Sequence, residues 1–181
     1  IASRFILGLP VFYKIMNFSD VWISNSNSVR DDISPFGKVP IQVIHNGLDI
    51  NDFDIRSTQK CELKLPKDKI KIAMLGGINP WKKQKEFIEI AINLLKKRND
   101  ILFYVVGNIV VESYYWELMK SVNDSGYSMN IIFTGYVQNT AAFLKNIDIM
   151  LHTMPYESFG RVFIEAMAAR KPVVAYNSGG A

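Results

Sequence analysis

Two glutamates eight residues apart, Glu157 and Glu165, stand in the run Pro155-Tyr156-Glu157-Ser158-Phe159-Gly160-Arg161-Val162-Phe163-Ile164-Glu165-Ala166-Met167. An ionised carboxylate accepts hydrogen bonds and donates none, so such a pair suits recognition of neutral hydroxyls, as on a sugar. The run predicts a turn at Glu157 and a helix starting near Phe159. The free amides and positive dipole end of that helix favour a phosphate beside the turn. Glu165 then lies about one and a half turns into the helix. The competing reading makes Glu157 a helix cap and Glu165 a solvated surface residue. A glutamate within so apolar a stretch of helix favours hydroxyl recognition.

A second place for chemistry is Gly76-Gly77-Ile78-Asn79-Pro80-Trp81-Lys82-Lys83. Its glycines let backbone approach a ligand, a following helix N-terminus offers amides to an anion, and Lys82 or Lys83 adds a point charge. The run is neither G-x-G-x-x-G nor a Walker A loop. Taken alone it reads more simply as a tight turn followed by surface lysines. His45 and His152, the two histidines, have no partner at metal-ligand spacing, and the single cysteine, Cys61, excludes a Cys-based zinc cluster and an internal disulfide. Both histidines are read as structural. Tyr114, Tyr115 and Trp116 are expected to cover a sheet.

The elements that must position these residues alternate strictly. Strands are expected at Lys71–Leu75, Ile101–Val106, Ile131–Thr134, Ile149–Thr153 and Val173–Tyr176. Helices are expected at Gln84–Arg98, Glu112–Asn123, Asn139–Asn146 and Gly160–Arg170. Phe87, Ile88, Ala91, Leu94 and Leu95 form one apolar helix face, and Ile101–Val106 is continuously apolar, as a strand covered on both faces should be. The pattern predicts an α/β fold, a doubly wound parallel sheet of Rossmann-like type, in which ligands bind at the carboxyl ends of the strands. Earlier in the chain, a helix over Phe5–Phe18, a strand Val21–Ser24, a helix Ser28–Ile33 and a strand Gln42–His45 are expected. Residues 1–58 are read as the tail of a preceding domain, 59–69 as a linker within the polar stretch from Ile50, and 70–181 as the sheet domain. Asn177-Ser178-Gly179-Gly180 after the last strand suggests that this domain is cut short.

Of 181 residues, 49% are hydrophobic and 21% charged, an ordinary globular balance. The net charge of +4 is concentrated: residues 60–98 hold 11 Lys/Arg against 4 Asp/Glu. Such a surface suits phosphates, an anionic membrane face or nucleic acid, or is a plain solvated helix face. Aromatic residues do not interleave with the lysines as a single-strand platform needs, so no nucleic-acid partner is expected. No segment reaches membrane-spanning length, and Phe5–Phe12 is broken by Gly8 and Pro10.

The segment Glu157–Ala175, E-S-F-G-R-V-F-I-E-A-M-A-A-R-K-P-V-V-A, resembles the E-x7-E region of the retaining GT-B-fold glycosyltransferases of group 1, or family 4. Three shorter runs resemble other motifs of that family in the same order: Val43–Asp49 the end of its N-terminal domain, Phe133–Val137 its third-strand motif, Ser178–Gly180 its glycine turn. The resemblance implies the C-terminal, donor-binding domain of a two-domain enzyme, inactive without its other half. It implies a nucleotide-diphosphate sugar as donor and a sugar or lipid-linked acceptor in cell-surface or exopolysaccharide assembly. It further implies a cytoplasmic place, with the inner membrane face as an option, and no cofactor and no metal.

Residue by residue, Glu157 matches the donor-sugar carboxylate and is the catalytic candidate, and Glu165 matches the ribose-binding glutamate. Ser158, Phe159 and Gly160 match backbone contacts to sugar and diphosphate, Lys82 the diphosphate lysine, and Val137 a backbone contact to the base. Gly76 and Gly77 form the glycine turn, but Gly77 stands where the family carries arginine. Lys83 and Arg170 stand where it carries glycine, and Asn108 where a second glycine is common. Lys83 either compensates for the missing arginine, rewiring the diphosphate site, or clashes and leaves that site weaker than is typical; the expectation carried forward is that Lys82 and Lys83 hold the diphosphate together. A nucleotide-sugar epimerase on the same scaffold and a degenerate, non-catalytic binding domain are the alternatives.

Overall fold

The computed structural model describes residues 17–180, which fall into two compact units. The first holds the described residues up to Gly47 together with Pro155–Arg161 and 177–180. In it β1 (Trp22–Ser24) is followed by helix α1 (Asn27–Ile33) and β2 (Ile41–Val43), and the two strands pair in parallel, Trp22 beside Ile41. Ser26 caps α1, its Oγ accepting from the Val29 amide at 3.2 Å. The helix expected over Phe5–Phe18 lies outside the described residues but for its last two positions, which form a turn.

The second unit, 48–154 with 162–176, begins within the stretch read as the tail of a preceding domain and takes in the residues read as a linker. Helix α2 (Ile50–Ser57) is capped by Asp49, whose carboxylate accepts from the Asp52 amide at 3.0 Å. Its Phe53 is 1% exposed, and Leu48, Cys61, Leu63 and Leu65 pack against the same core. Residues 50–65 are thus built into the second unit, which starts at Leu48. With Phe53 its one buried residue and Ile50 and Ile55 both exposed, this helix shows no apolar period to be seen in sequence.

The rest alternates: β3 (Ile70–Leu75), α3 (Gln84–Leu95), β4 (Ile101–Val106), α4 (Glu112–Ser125), β5 (Ile131–Gly135), α5 (Thr140–Asn146), β6 (Ile149–His152), α6 (Arg161–Ala168) and β7 (Val173–Ala175). All five of these strands pair in parallel, in the order β5-β4-β3-β6-β7. The chain winds outward to β5 and returns to lay β6 beside β3, so the fold is Rossmann-like, as expected. Because strand side chains alternate between faces, the core is double. Ile72, Met74, Phe103 and Val105 pack with Phe87 and Ile88 of α3 and Leu118 of α4. Ala73, Leu75, Tyr104 and Met150 pack with Phe53 of α2, Phe143 of α5 and Phe163 of α6.

At the amino ends of β3 and β6, the Lys71 ammonium lies 2.8 Å from an Asp148 carboxylate oxygen that also accepts from the Lys71 amide at 2.7 Å. Burial pushes the Asp148 carboxyl up, but the hydrogen bonds and charge of Lys71, helped by Lys171, outweigh it and hold it below the usual carboxylate range. Among the described residues no helix is long and apolar enough to cross a membrane.

Candidate functional site

At the opposite, carboxyl ends the strands leave the sheet almost touching. The Gly76 amide donates to Val106 carbonyl at 2.8 Å, and the Gly107 amide to Gly135 carbonyl at 2.9 Å. Pairing continues beyond the strands through a parallel bridge of Ile78 with Ile109. A Cβ on Gly107 would lie 2.2 Å from the Gly76 carbonyl oxygen, so no side chain fits there. Above this floor is a cavity of about 310 Å³, lined by Gly76, Gly77, Val137 and Glu165 among the expected site residues. Leu75, Val106 and Val162 make it largely apolar, and among the described residues Glu165 is the one carboxylate on its wall.

Asn108, Val110, Tyr136 and Thr140, to which the motifs give no binding role, also line this cavity. They follow β4 and β5 as Gly76 follows β3. The rule that ligands sit at carboxyl strand ends reaches them once every turn on that side is counted. Val110 also explains how the arginine position is filled: a Cβ on Gly77 would meet a Val110 methyl at 2.8 Å.

Lys82 closes a short 3-10 turn, Pro80–Lys82. Its stem passes Gly76, with Cγ, Cδ and Cε 3.7–3.8 Å from where a Gly76 Cβ would be. Asn79 caps that turn, its Oδ1 accepting from the amides of Trp81 at 3.1 Å and Lys82 at 3.2 Å. Lys83 is exposed, is absent from the cavity wall, and takes the left-handed conformation, φ 59° and ψ 36°. The buried Thr153 hydroxyl donates to its carbonyl at 2.8 Å. Arg170, at φ 60°, is the other non-glycine residue with positive φ among those described.

Glu157, Ser158, Phe159 and Gly160 belong to the first unit, whereas Gly76, Gly77, Lys82, Lys83, Val137 and Glu165 belong to the second. The Glu157 side chain is half-buried, and its carbonyl accepts from the Gly180 amide at 2.7 Å. A Cβ on Gly179 would come within 2.5 Å of that same carbonyl oxygen, which is why glycine stands there. The Phe159 ring lies 5.8 Å from that of His45, and Gly160 has φ 77° immediately before α6 begins.

His152 is 1% exposed and edge-on to Phe163 at 5.0 Å, a core position. Among the described residues no three His, Cys, Asp or Glu side chains are grouped to hold a metal ion. Tyr114 is buried with its hydroxyl accepting from the Lys85 amide at 3.0 Å, and Tyr115 packs edge-on against Phe133. Trp116 is 63% exposed, so only two of the three rings expected on the sheet cover it.

Residues 55–181 match the model of the family described as glycosyl transferases group 1. An uncharacterized glycosyltransferase of Methanocaldococcus jannaschii is 25% identical over 168 residues, covering 87% of this chain and 42% of the relative. The lipopolysaccharide core biosynthesis mannosyltransferase of Rhizobium meliloti is 30% identical over 149 residues, covering 78% and 42%. Among solved structures, Anabaena HepE in complex with UDP and glucose superposes with a TM-score of 0.84 at 25% identity, over 99% of this chain and 51% of that one. The chain thus spans about half the length of that structure and less than half that of those two curated relatives. The epimerase alternative receives no support from these comparisons.

Proposed function

Because the chain belongs to the group 1 glycosyl transferases, we propose that it binds a nucleotide-diphosphate sugar and that the whole protein transfers the sugar with retention of configuration. The observation that carries this reading is Glu165 on the wall of an apolar cavity at the carboxyl ends of β3, β4 and β5. An apolar slot admits a planar base, and a carboxylate on its wall accepts from ribose hydroxyls. Val137 supplies backbone to the base, and Gly76 and Gly77 let the diphosphate approach. Lys82, with Lys83, neutralises it in place of a metal. For Glu157 as the catalytic candidate at the donor sugar, and for the backbone of Ser158, Phe159 and Gly160, the support is the motif itself.

HepE, the Anabaena relative in fold, has been solved with UDP-glucose, which supports a uridine nucleotide as donor. The names of the Rhizobium mannosyltransferase and of a Staphylococcus aureus capsular polysaccharide glycosyltransferase support an acceptor in cell-surface polysaccharide assembly. The acceptor is then a sugar or a lipid-linked sugar, met at the cytoplasmic membrane face by the basic surface of residues 60–98. These 181 residues alone are expected to bind donor without transferring it.

Calorimetry with UDP, GDP, ADP, CDP and dTDP tests the reading. One of the five binds, and Glu165→Ala weakens it by about 1.5–3 kcal/mol for each hydrogen bond lost to the carboxylate. Unchanged affinity together with a lowered melting temperature would make Glu165 a structural residue. Product anomers made by the whole protein, read by NMR, test retention.

A further inference from the structure

We infer that Asn79 is a positioning residue for the diphosphate end of this site, acting through Lys82 and Gly77 and touching no ligand itself. The inference rests on the proposed role of Lys82. One planar amide does two tasks. Its oxygen accepts from the Trp81 and Lys82 amides at 3.1 and 3.2 Å, and its nitrogen donates to the Gly77 carbonyl at 3.1 Å. The partners fix the orientation, because two N–H groups need an acceptor and a carbonyl needs a donor.

Gly76-Gly77 is the pair of residues with the most backbone freedom in the turn. Gly77 has no side chain to anchor it where an arginine is usual. The same carbonyl takes a second donor, Gln84 Nε2, at 2.9 Å. Gln84 is fully buried, and its other amide atom, Oε1, has no hydrogen-bond partner among the described residues. A buried acceptor left unpaired is unfavourable. The chain tolerates it at the residue that holds Gly77.

Asn79 then ties that anchored carbonyl to the amide of Lys82, whose stem crosses Gly76. Rotating the Asn79 side chain breaks three hydrogen bonds together and leaves the Lys82 amide only its 3.1 Å bond to the Asn79 backbone carbonyl. With no arginine at position 77, the tie sets how the Lys82 turn lies against Gly77.

The test uses the tightest-binding of the five nucleoside diphosphates and its parent nucleoside, titrated into the 181-residue chain and its Asn79→Ala, Asn79→Asp, Lys82→Ala and Asn79→Ala/Lys82→Ala variants. Asn79→Ala is expected to weaken the diphosphate about tenfold and the nucleoside less than about twofold. The double variant should bind no worse than Lys82→Ala, since residues acting through one another are not additive. Asn79→Asp keeps the acceptor for both amides but sets a carboxylate oxygen against the Gly77 carbonyl, so it should fall between wild type and Asn79→Ala. It carries the comparison if Asn79→Ala does not fold. Losses that multiply in the double variant, or an equal loss of nucleoside, overturn the inference while leaving the donor reading standing. Unchanged diphosphate affinity in Lys82→Ala overturns this inference and the role of Lys82 while leaving the donor reading standing, and no binding by any of the five overturns the donor reading and this inference with it.

Discussion

Lys83 and Arg170 hold left-handed backbone at φ 59° and 60°, a conformation that costs an L-residue about 1–2 kcal/mol. Both stand where the family resemblance leads one to expect glycine. The sequence therefore marked both positions as departures, but their backbone angles follow from the turns around them and were not legible. Lys83→Gly and Arg170→Gly should each stabilise the chain by about 0.5–1 kcal/mol, the gain being trimmed by the added freedom of the unfolded chain. Urea midpoints measure this, and a loss at either site would mean that the long side chain packs usefully. Lys83 carries a second question, whether its ammonium shares the diphosphate with Lys82. If Lys83→Ala leaves diphosphate affinity unchanged while Lys82→Ala lowers it, the sharing fails and Lys82 acts alone. Glu165 and Val137 were identifiable from their motifs. Thr140 was not, because a hydroxyl at the first position of a helix is commonplace, and Asn108 was marked only as a departure from glycine.

Elements with regular apolar spacing were readable to within a few residues. Ile101–Val106, buried at all six positions, was fixed by its unbroken apolar run. Helix α2 escaped because it buries Phe53 alone. Nothing in the sequence announced the tie between β3 and β6 either, since Lys71 and Asp148 are 77 positions apart. That tie has a pH signature. A carboxyl held low in the folded state contributes stability that is fully present above its unfolded value, about 3.9. The contribution is lost as pH falls through the lower folded value. Asp148→Asn should flatten this part of the acid limb, seen in urea midpoints between about pH 6 and about pH 2. At neutral pH, Asp148→Ala removes the counter-charge of Lys71, which is 8% exposed and keeps its hydrogen bond to the Lys69 carbonyl. Its cost should be about 1–3 kcal/mol, below that of a fully buried pair because the carboxylate is half in water. A wild-type midpoint in Asp148→Ala would mean that Lys71 finds an equal partner elsewhere.

For the molecule as a whole, the cavity lies within the second unit, and ligand binding there should register as stability. A nucleotide at a hundred times its Kd should add about 2.7 kcal/mol. For a chain of this size that corresponds to a rise in melting temperature of about 5–10 °C. Slowed hydrogen exchange should map to Gly76–Asn79, Gly107–Val110 and Tyr136–Thr140. Protection confined to other segments would place the nucleotide elsewhere. The parallel sheet was legible from alternation alone. The grouping of Pro155–Arg161 and 177–180 with the opening residues was not, because such association spans more than a hundred positions and leaves no local period.

The contact between Gly107 and the Gly76 carbonyl sorts the cavity by how far it can change under mutation. Its floor is made of absent atoms: any side chain at 107 collides with backbone, which cannot turn aside as a side chain can. Variation at 107 is closed to every other amino acid while the two strands keep their spacing. The rim is different. Asn108, Val110 and Tyr136 are exposed and line the same opening. A library randomised at those three positions should return many folded members with altered ligand preference, and one randomised at 107 should return glycine.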